Sequence, residues 1–173
     1  MRTIVVIVLL MACGVAQQIS AQTRAQELAT AFNKHKQVTK EKHGVRMEKY
    51  KDVRSEPAVK QNLADYSGAY EVSELGYVIN IQAGSNGSVQ AVGNEKGHTF
   101  RLENARIDGA LLTASKVYQD GTTEKFEGVF LNRTDRNSPT DQGVTMFGLG
   151  VVLSTPFETN GLTYEKLFYT LKH

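Results

Sequence analysis

From Asp65 onward, apolar and polar positions alternate in short runs. Tyr77, Ile79 and Ile81 fall on one side of a period of two, with Val78, Asn80 and Gln82 on the other, and Phe100 and Leu102 repeat the pattern. Between the runs stand Asn86-Gly87, Asp108-Gly109, Asp120-Gly121 and Asn160-Gly161, dipeptides that supply the positive φ angles a tight hairpin demands. The rhythm predicts strands at Gly68–Val72, Tyr77–Ala83, Ser88–Val92, Thr99–Ala105, Ala110–Gln119, Thr122–Thr134, Val144–Leu153 and Thr163–Lys172. A set of about eight, joined by short turns, is what a small closed barrel or a strongly curled half-barrel uses.

One of these segments is apolar on both faces. Phe147, Leu149, Val151 and Leu153 share one side, and Met146, Gly148, Gly150 and Val152 share the other, so the strand is expected at the centre of the sheet with both faces covered. Gly148 and Gly150 on one face point to a sharp curl or a close backbone approach.

Upstream the period changes. Ala25, Leu28, Ala29, Phe32 and His35 fall on one helical face, Thr23 with Gln26 fits an N-cap, and Gly44 is a natural stop. Val45 to Asn62 reads as an irregular charged strap in which Pro57 prevents a continuous helix. The expected class is therefore mainly β, an antiparallel meander preceded by an N-terminal α-helical arm. Its divisions are a leader at 1–21, a basic helical arm and strap at 22–64, and the barrel domain at 65–173.

The leader carries the compartment. Arg2 opens an apolar run that reaches Gly14, and Ser20 and Ala21 precede Gln22, as in a cleaved secretory signal. The run falls short of the roughly 20 apolar residues that span a bilayer. A secreted or periplasmic protein is expected, beginning at Gln22. The single cysteine, Cys13, lies inside the run, so no disulfide framework can form and a hydrophobic core must hold the fold. Leu10-Met11-Ala12-Cys13 also resembles a bacterial lipobox, which leaves lipidation of Cys13 as a second reading.

Charge is divided unevenly along the chain. Between Thr23 and Ala64 ten basic residues face five acids, and from Asp65 onward nine face thirteen, so a segment of net +5 precedes one of net −4. The arm either lies along its own acidic body or meets an anionic partner such as phospholipid head groups. Its aromatics, Phe32 and Tyr50, offer no stacking platform for bases, and nucleic acid is not expected as a partner.

Asp65-Tyr66-Ser67-Gly68-Ala69-Tyr70, followed by an alternating strand and then Asn86-Gly87-Ser88-Val89, resembles the opening of the small lipocalin-like domains that occur alone or appended to bacterial serine hydrolases. The resemblance covers the first three strands. It implies a non-catalytic β module that holds a hydrophobic ligand or a neighbouring protein.

The residues themselves offer no catalytic constellation. His35, His43 and His98 lack metal-ligand spacing, and no G-x-S-x-G elbow is present, so no catalytic residue, metal or cofactor is expected. The long polar connection from Asn132 to Gly143 offers Asp135, Asn137 and Asp141 as oxygen donors to a calcium ion, against which its arginines argue, or sets Arg133 and Arg136 where a carboxylate or phosphate would be received, or is simply a turn whose Asp and Asn side chains bond nearby backbone. Aromatics facing the barrel interior would contact an apolar ligand. The candidate ligand-binding residues are thus Tyr70, Tyr118, Phe130, Arg133 and Arg136. The expected partner is a small apolar ligand or an envelope protein, with membrane contact through the basic arm or a lipidated Cys13. Most interior aromatics should simply fill the core, leaving a shallow groove at one mouth.

Overall fold

A computed structural model describes residues 20–172. A helix, α1, spans residues 20–30. Ten strands follow: β1 Lys34–Lys42, β2 Val45–Pro57, β3 Gly68–Val72, β4 Tyr77–Ala83, β5 Val89–Glu95, β6 His98–Asp108, β7 Leu111–Tyr118, β8 Thr123–Arg136, β9 Val144–Thr159 and β10 Leu162–Leu171. All neighbouring strands run antiparallel in the order β8-β7-β6-β5-β4-β3-β10-β9, and β9 returns to pair with β8. That last pairing closes an eight-strand barrel. Cys13 and the expected leader as far as residue 19 lie outside the described residues, while Ser20, Ala21 and Gln22, around the expected cleavage point, open α1.

The eight strands expected from periodicity are the eight strands of the barrel, with their ends shifted by a few residues. The inward face carries Tyr70, Tyr77, Ile79, Ile81, Phe100, Leu102, Leu112, Phe130, Leu149 and Tyr169, all buried. Alternation therefore sets which side chains fill the barrel. A strap at residues 58–66 crosses one end, where Tyr66 stacks on Phe130 at a centroid distance of 4.2 Å and Phe147 stacks on both rings. The Tyr66 hydroxyl lies 2.7 Å from the Ala58 carbonyl and 2.9 Å from that of Gly109, and accepts a hydrogen bond from the Lys60 N–H at 2.9 Å. This end is sealed by aromatic side chains, and the deep Tyr66 hydroxyl is satisfied.

The segment before the barrel differs from the pattern's expectation. The pattern predicts helix as far as Gly44 and an irregular strap beyond. The structure ends α1 at residue 30 and forms a long β1–β2 hairpin. The reason lies at its tip, where His43 and Gly44 both have positive φ, at 53° and 74°, between the paired residues Lys42 and Val45. Gly44 is thus the second residue of a two-residue hairpin turn rather than a helix stop. β2 then bonds to β8 over Asp52–Pro57, beyond the point where β7 has begun. The hairpin extends the sheet past the barrel's sealed end.

Helix α1 covers the outer face of β8, β9 and β10. Ala25, Leu28, Ala29 and Phe32 are buried there, as the helical periodicity requires, whereas His35 has passed into β1 and is exposed. Arg24 clamps Glu127 through two hydrogen bonds of 2.7 and 3.1 Å, and Lys166 Nζ donates to the Ala31 carbonyl where α1 stops. The Glu127 carboxyl is held below its ordinary range, first by its hydrogen bond from Arg24. A Cβ on Gly150 would lie 2.7 Å from Leu131 and 2.8 Å from the Phe32 ring, so the bare glycine backbone is the seat of Phe32. Gly148 serves similarly, since a Cβ there would collide with the Tyr169 carbonyl oxygen and sit 2.8 Å from Phe168. The two glycines are close-approach positions.

Gly148→Ala should destabilise the fold by about 1–3 kcal/mol, the usual cost of forcing a methyl into a filled space. By contrast, Gly150→Ala should release Phe32 and loosen α1 at similar cost. Urea unfolding checks the first, and amide hydrogen exchange confined to residues 20–32 checks the second.

Candidate functional site

The end of the barrel opposite the strap is open. It is ringed by the β3–β4, β5–β6, β7–β8 and β9–β10 connections and encloses a groove of about 610 Å3. Tyr77, Glu95, His98, Lys116, Tyr118 and Phe157 line it. Such a volume is within the ordinary range for a small-molecule site.

The floor of the groove is a polar cluster in an otherwise apolar interior. Glu95 ends β5 and Lys116 sits near the end of β7, both on inward-facing positions by strand register. Lys116 Nζ donates to Glu95 Oε2, and the Tyr169 hydroxyl donates to Glu95 Oε1. The side chains of Lys116 and Glu95 are only 7% and 13% exposed. Two aromatic faces complete the setting, for Lys116 Nζ lies 4.4 Å from the centre of the Phe100 ring and 4.9 Å from that of Tyr118. Charge is therefore balanced within the barrel: one anion, one cation, one phenol and two π faces.

Protonation follows from this arrangement. Burial opposes the charge on Lys116, but the charge and hydrogen bond of Glu95 outweigh it and hold the ammonium above its ordinary pKa. Burial, reinforced by the neighbouring Glu95 charge and by the bond to it, raises the Tyr169 phenol far above its usual value. Burial likewise raises Tyr77 and Tyr118. At neutral pH the lysine is charged and all three phenols keep their protons.

A flap reaches toward the opening. Tyr164 pairs with Phe157 and Lys166 with Val152, so Leu153–Pro156 of β9 have a single counterpart, Glu165, on β10. This wide bulge bends the β9–β10 tip, as bulges do. Phe157 then comes within 6.1 Å of Tyr77 and 5.2 Å of Tyr164, and Lys96 of the β5–β6 turn sits 4.0 Å over the Phe157 ring. The two-residue turn Lys96-Gly97, with φ of 53° and 79°, is what holds Lys96 there.

The residues singled out by sequence do not converge. Tyr118 lines the groove. Tyr70 and Phe130 are fully buried in the sealed half of the barrel, where the Tyr70 hydroxyl donates to the Tyr66 carbonyl at 2.6 Å. Arg133 lies on the outer wall, bonded to Asp135 at 2.9 and 3.2 Å and stacked over Phe168. Arg136 donates to the Asp141 and Pro139 carbonyls at 2.8 and 2.7 Å, and so shapes its own loop. Asp141 accepts from the Gly143 and Asn137 N–H groups, the backbone-bonding turn that the loop's composition allows. Among the described residues no three His, Cys, Asp or Glu side chains are placed to hold a metal ion, and no helix is long and apolar enough to cross a membrane.

Glu95 and Lys116 were the residues that sequence reasoning missed as a pair. Each stands at an inward position of an alternating run, where Ala91 and Gly93 precede Glu95 and Leu112 and Ala114 precede Lys116. A charge in phase with the core is the available signal; the two lie 21 residues apart, and only the pairing of β5, β6 and β7 brings them together. Compared with protein-family models, curated proteins and solved structures, the chain matches none.

Two outcomes are expected of the cluster. Lys116→Met leaves the Glu95 carboxylate buried without its cation and should cost about 3–5 kcal/mol in urea unfolding at pH 7. The raised pKa values of Lys116 and Tyr169 mean that the folded state keeps protons which the unfolded chain gives up. The contribution of these two groups to stability is therefore full below about pH 10 and is lost as the pH climbs beyond it. Unfolding midpoints measured from pH 8 to 11 should decline, and Glu95→Gln should flatten part of the decline; a level wild-type profile would contradict the buried assignment.

Proposed function

We propose that this protein is a non-enzymatic binding module of the secreted or periplasmic space whose open barrel end takes a small amphiphile with an uncharged polar head. The observation that carries this reading is the internally neutralised Glu95–Lys116–Tyr169 cluster at the floor of an aromatic-rimmed groove. Lys116 has donors beyond the one given to Glu95, and a carbonyl or hydroxyl oxygen would accept them without adding net charge. Tyr77, Tyr118 and Phe157 offer apolar surface for a short chain or ring. An ionised head would disturb a balanced pair in a water-poor setting.

Catalysis is the weaker alternative because the buried groups hold their protons far from neutrality, whereas an acid–base catalyst works best with a pKa near the working pH. The lipocalin-like opening at Asp65–Tyr70 and the leader at 1–21 agree with a secreted carrier or accessory module. In that reading Tyr66 and Tyr70 belong to the plug, and the ligand sits at the other end.

The test is isothermal titration of the purified protein with 1-monodecanoylglycerol, decanoic acid and decylamine, each below its micellar concentration. Saturable one-to-one binding is expected, tightest for the glyceride. Glu95→Leu combined with Lys116→Met replaces the pair by apolar groups and should leave the fold intact while weakening glyceride binding at least tenfold, about 1.4 kcal/mol. Phe157→Ala should weaken all three probes alike. Equal binding of the glyceride by the double variant would remove the cluster from the site.

A further inference from the structure

The β1–β2 hairpin sorts its charges by face. Register places Lys36 opposite Lys51, Val38 opposite Lys49 and Lys40 opposite Met47, with Lys34 opposite Val53 at the base. Directly opposed residues share a face, so Lys34, Lys36, Lys40, Lys49 and Lys51 stand together with no acid of the hairpin among them. The acids Glu41, Glu48 and Asp52 lie on the reverse face with His35, Tyr50 and Arg46, where Arg46 bonds Glu48 at 2.9 Å and His35 bonds Asp52 at 3.2 Å. Lys34 to Lys40 are six residues apart, a span of roughly 20 Å along the strand.

Apolar side chains accompany the lysines. Val45 and Met47 at the hairpin's far end are 60% and 50% exposed, and Val144 of β9 is 65% exposed on the same face, in the row formed by Val53 and Asp135. Asp135, which shares the row of Val53 and Val144, is already bonded by Lys51 and Arg133, as Glu127 further along the same face of β8 is by Arg24. Lysines on an edge strand also discourage strand-to-strand aggregation. That role does not call for the lysines on β2, for the like-charged pair Lys36–Lys51, or for exposed apolar residues at the tip.

We propose that this face of the hairpin docks on an anionic lipid surface, with the lysines over the head groups and Val45 and Met47 at the head-group boundary. Cationic side chains with flexible apolar stems next to exposed aliphatic residues are what an anionic interface recognises. A nucleic acid would instead be met by arginine forks and stacking aromatics, and the hairpin's Tyr50 and Arg46 are on the opposite face. The mouth of the barrel, at the other end from the hairpin, would stay open while the face is engaged.

Sedimentation of the full chain with vesicles tests this. Residues 1–19 are themselves rich in apolar side chains, so the readout is the ratio of partitioning onto vesicles of 30 mol% phosphatidylglycerol in phosphatidylcholine to that onto pure phosphatidylcholine. A ratio of at least tenfold at low salt is expected, collapsing toward one in 0.5 M NaCl. The variant carrying Lys34→Gln, Lys36→Gln, Lys40→Gln and Lys49→Gln, all at exposed positions, should bring the ratio near one. Val45→Ser with Met47→Ser should lower it severalfold, and Glu41→Gln with Glu48→Gln on the reverse face should not lower it. A wild-type ratio near one, a ratio unchanged in the lysine variant, or tighter binding to a 20-base-pair DNA duplex than to the anionic vesicles would each overturn the proposal.

Discussion

Strand β8 is the constraint on which the other features depend. Its edges bond to β7 and β2 on one side and to β9 on the other, and its faces contribute Phe130 to the interior and Val129 and Leu131 to the surface under α1. Closing the barrel through β8 and β9 leaves no free edge among the eight barrel strands, which removes the backbone groups that would otherwise invite aggregation. The same closure fixes the inward positions on which a plug and a charged cluster are built. Fourteen residues long, β8 outruns β7, and its surplus length is the edge to which the β1–β2 hairpin attaches.

The interior is divided between two kinds of packing. In the sealed half, Tyr66, Tyr70, Phe130 and Phe147 stack and tilt against one another, with the Tyr66 and Tyr70 hydroxyls bonded to backbone carbonyls. The open half has Glu95, Lys116 and Tyr169 in their place, where burial costs are offset only by mutual pairing and by the π faces of Phe100 and Tyr118. Large apolar side chains would stabilise that half more simply. A balanced charged cluster below an open groove is the arrangement that a filled core has no need of, and for this reason the functional reading rests there.

On the outside, helix α1 and the hairpin put two physical devices on one sheet face. Gly148 and Gly150 let side chains approach the backbone, so Phe32 and the small residues Ala25 and Ala29 can lie close to the wall. Beyond the helix the covered face becomes the lysine face, because β2 continues the sheet after α1 has ended. The basic character of this segment is thus shared between a clamp, Arg24 on Glu127, and an exposed sheet surface.

Sequence alone determined the barrel strands, since alternation and the Gly-containing turns are local properties and the period of two assigns each side chain a face. Ala25, Leu28, Ala29 and Phe32 announced their burial in the same way. It did not determine where the helix stops, because the His43-Gly44 turn and the polar, alternating Lys34–Lys42 segment acquire their meaning only when β2 finds the edge of β8. Of the five candidate ligand-binding residues, Tyr118 is the one that lines the groove. Tyr70 and Phe130 face inward as expected, but the strap carrying Tyr66 fills their end of the barrel; the pairing of Glu95 with Lys116 and Tyr169 joins residues up to 74 positions apart. Periodicity records which way a side chain points, whereas what it meets is set by strand register and closure, and those are properties of the folded sheet.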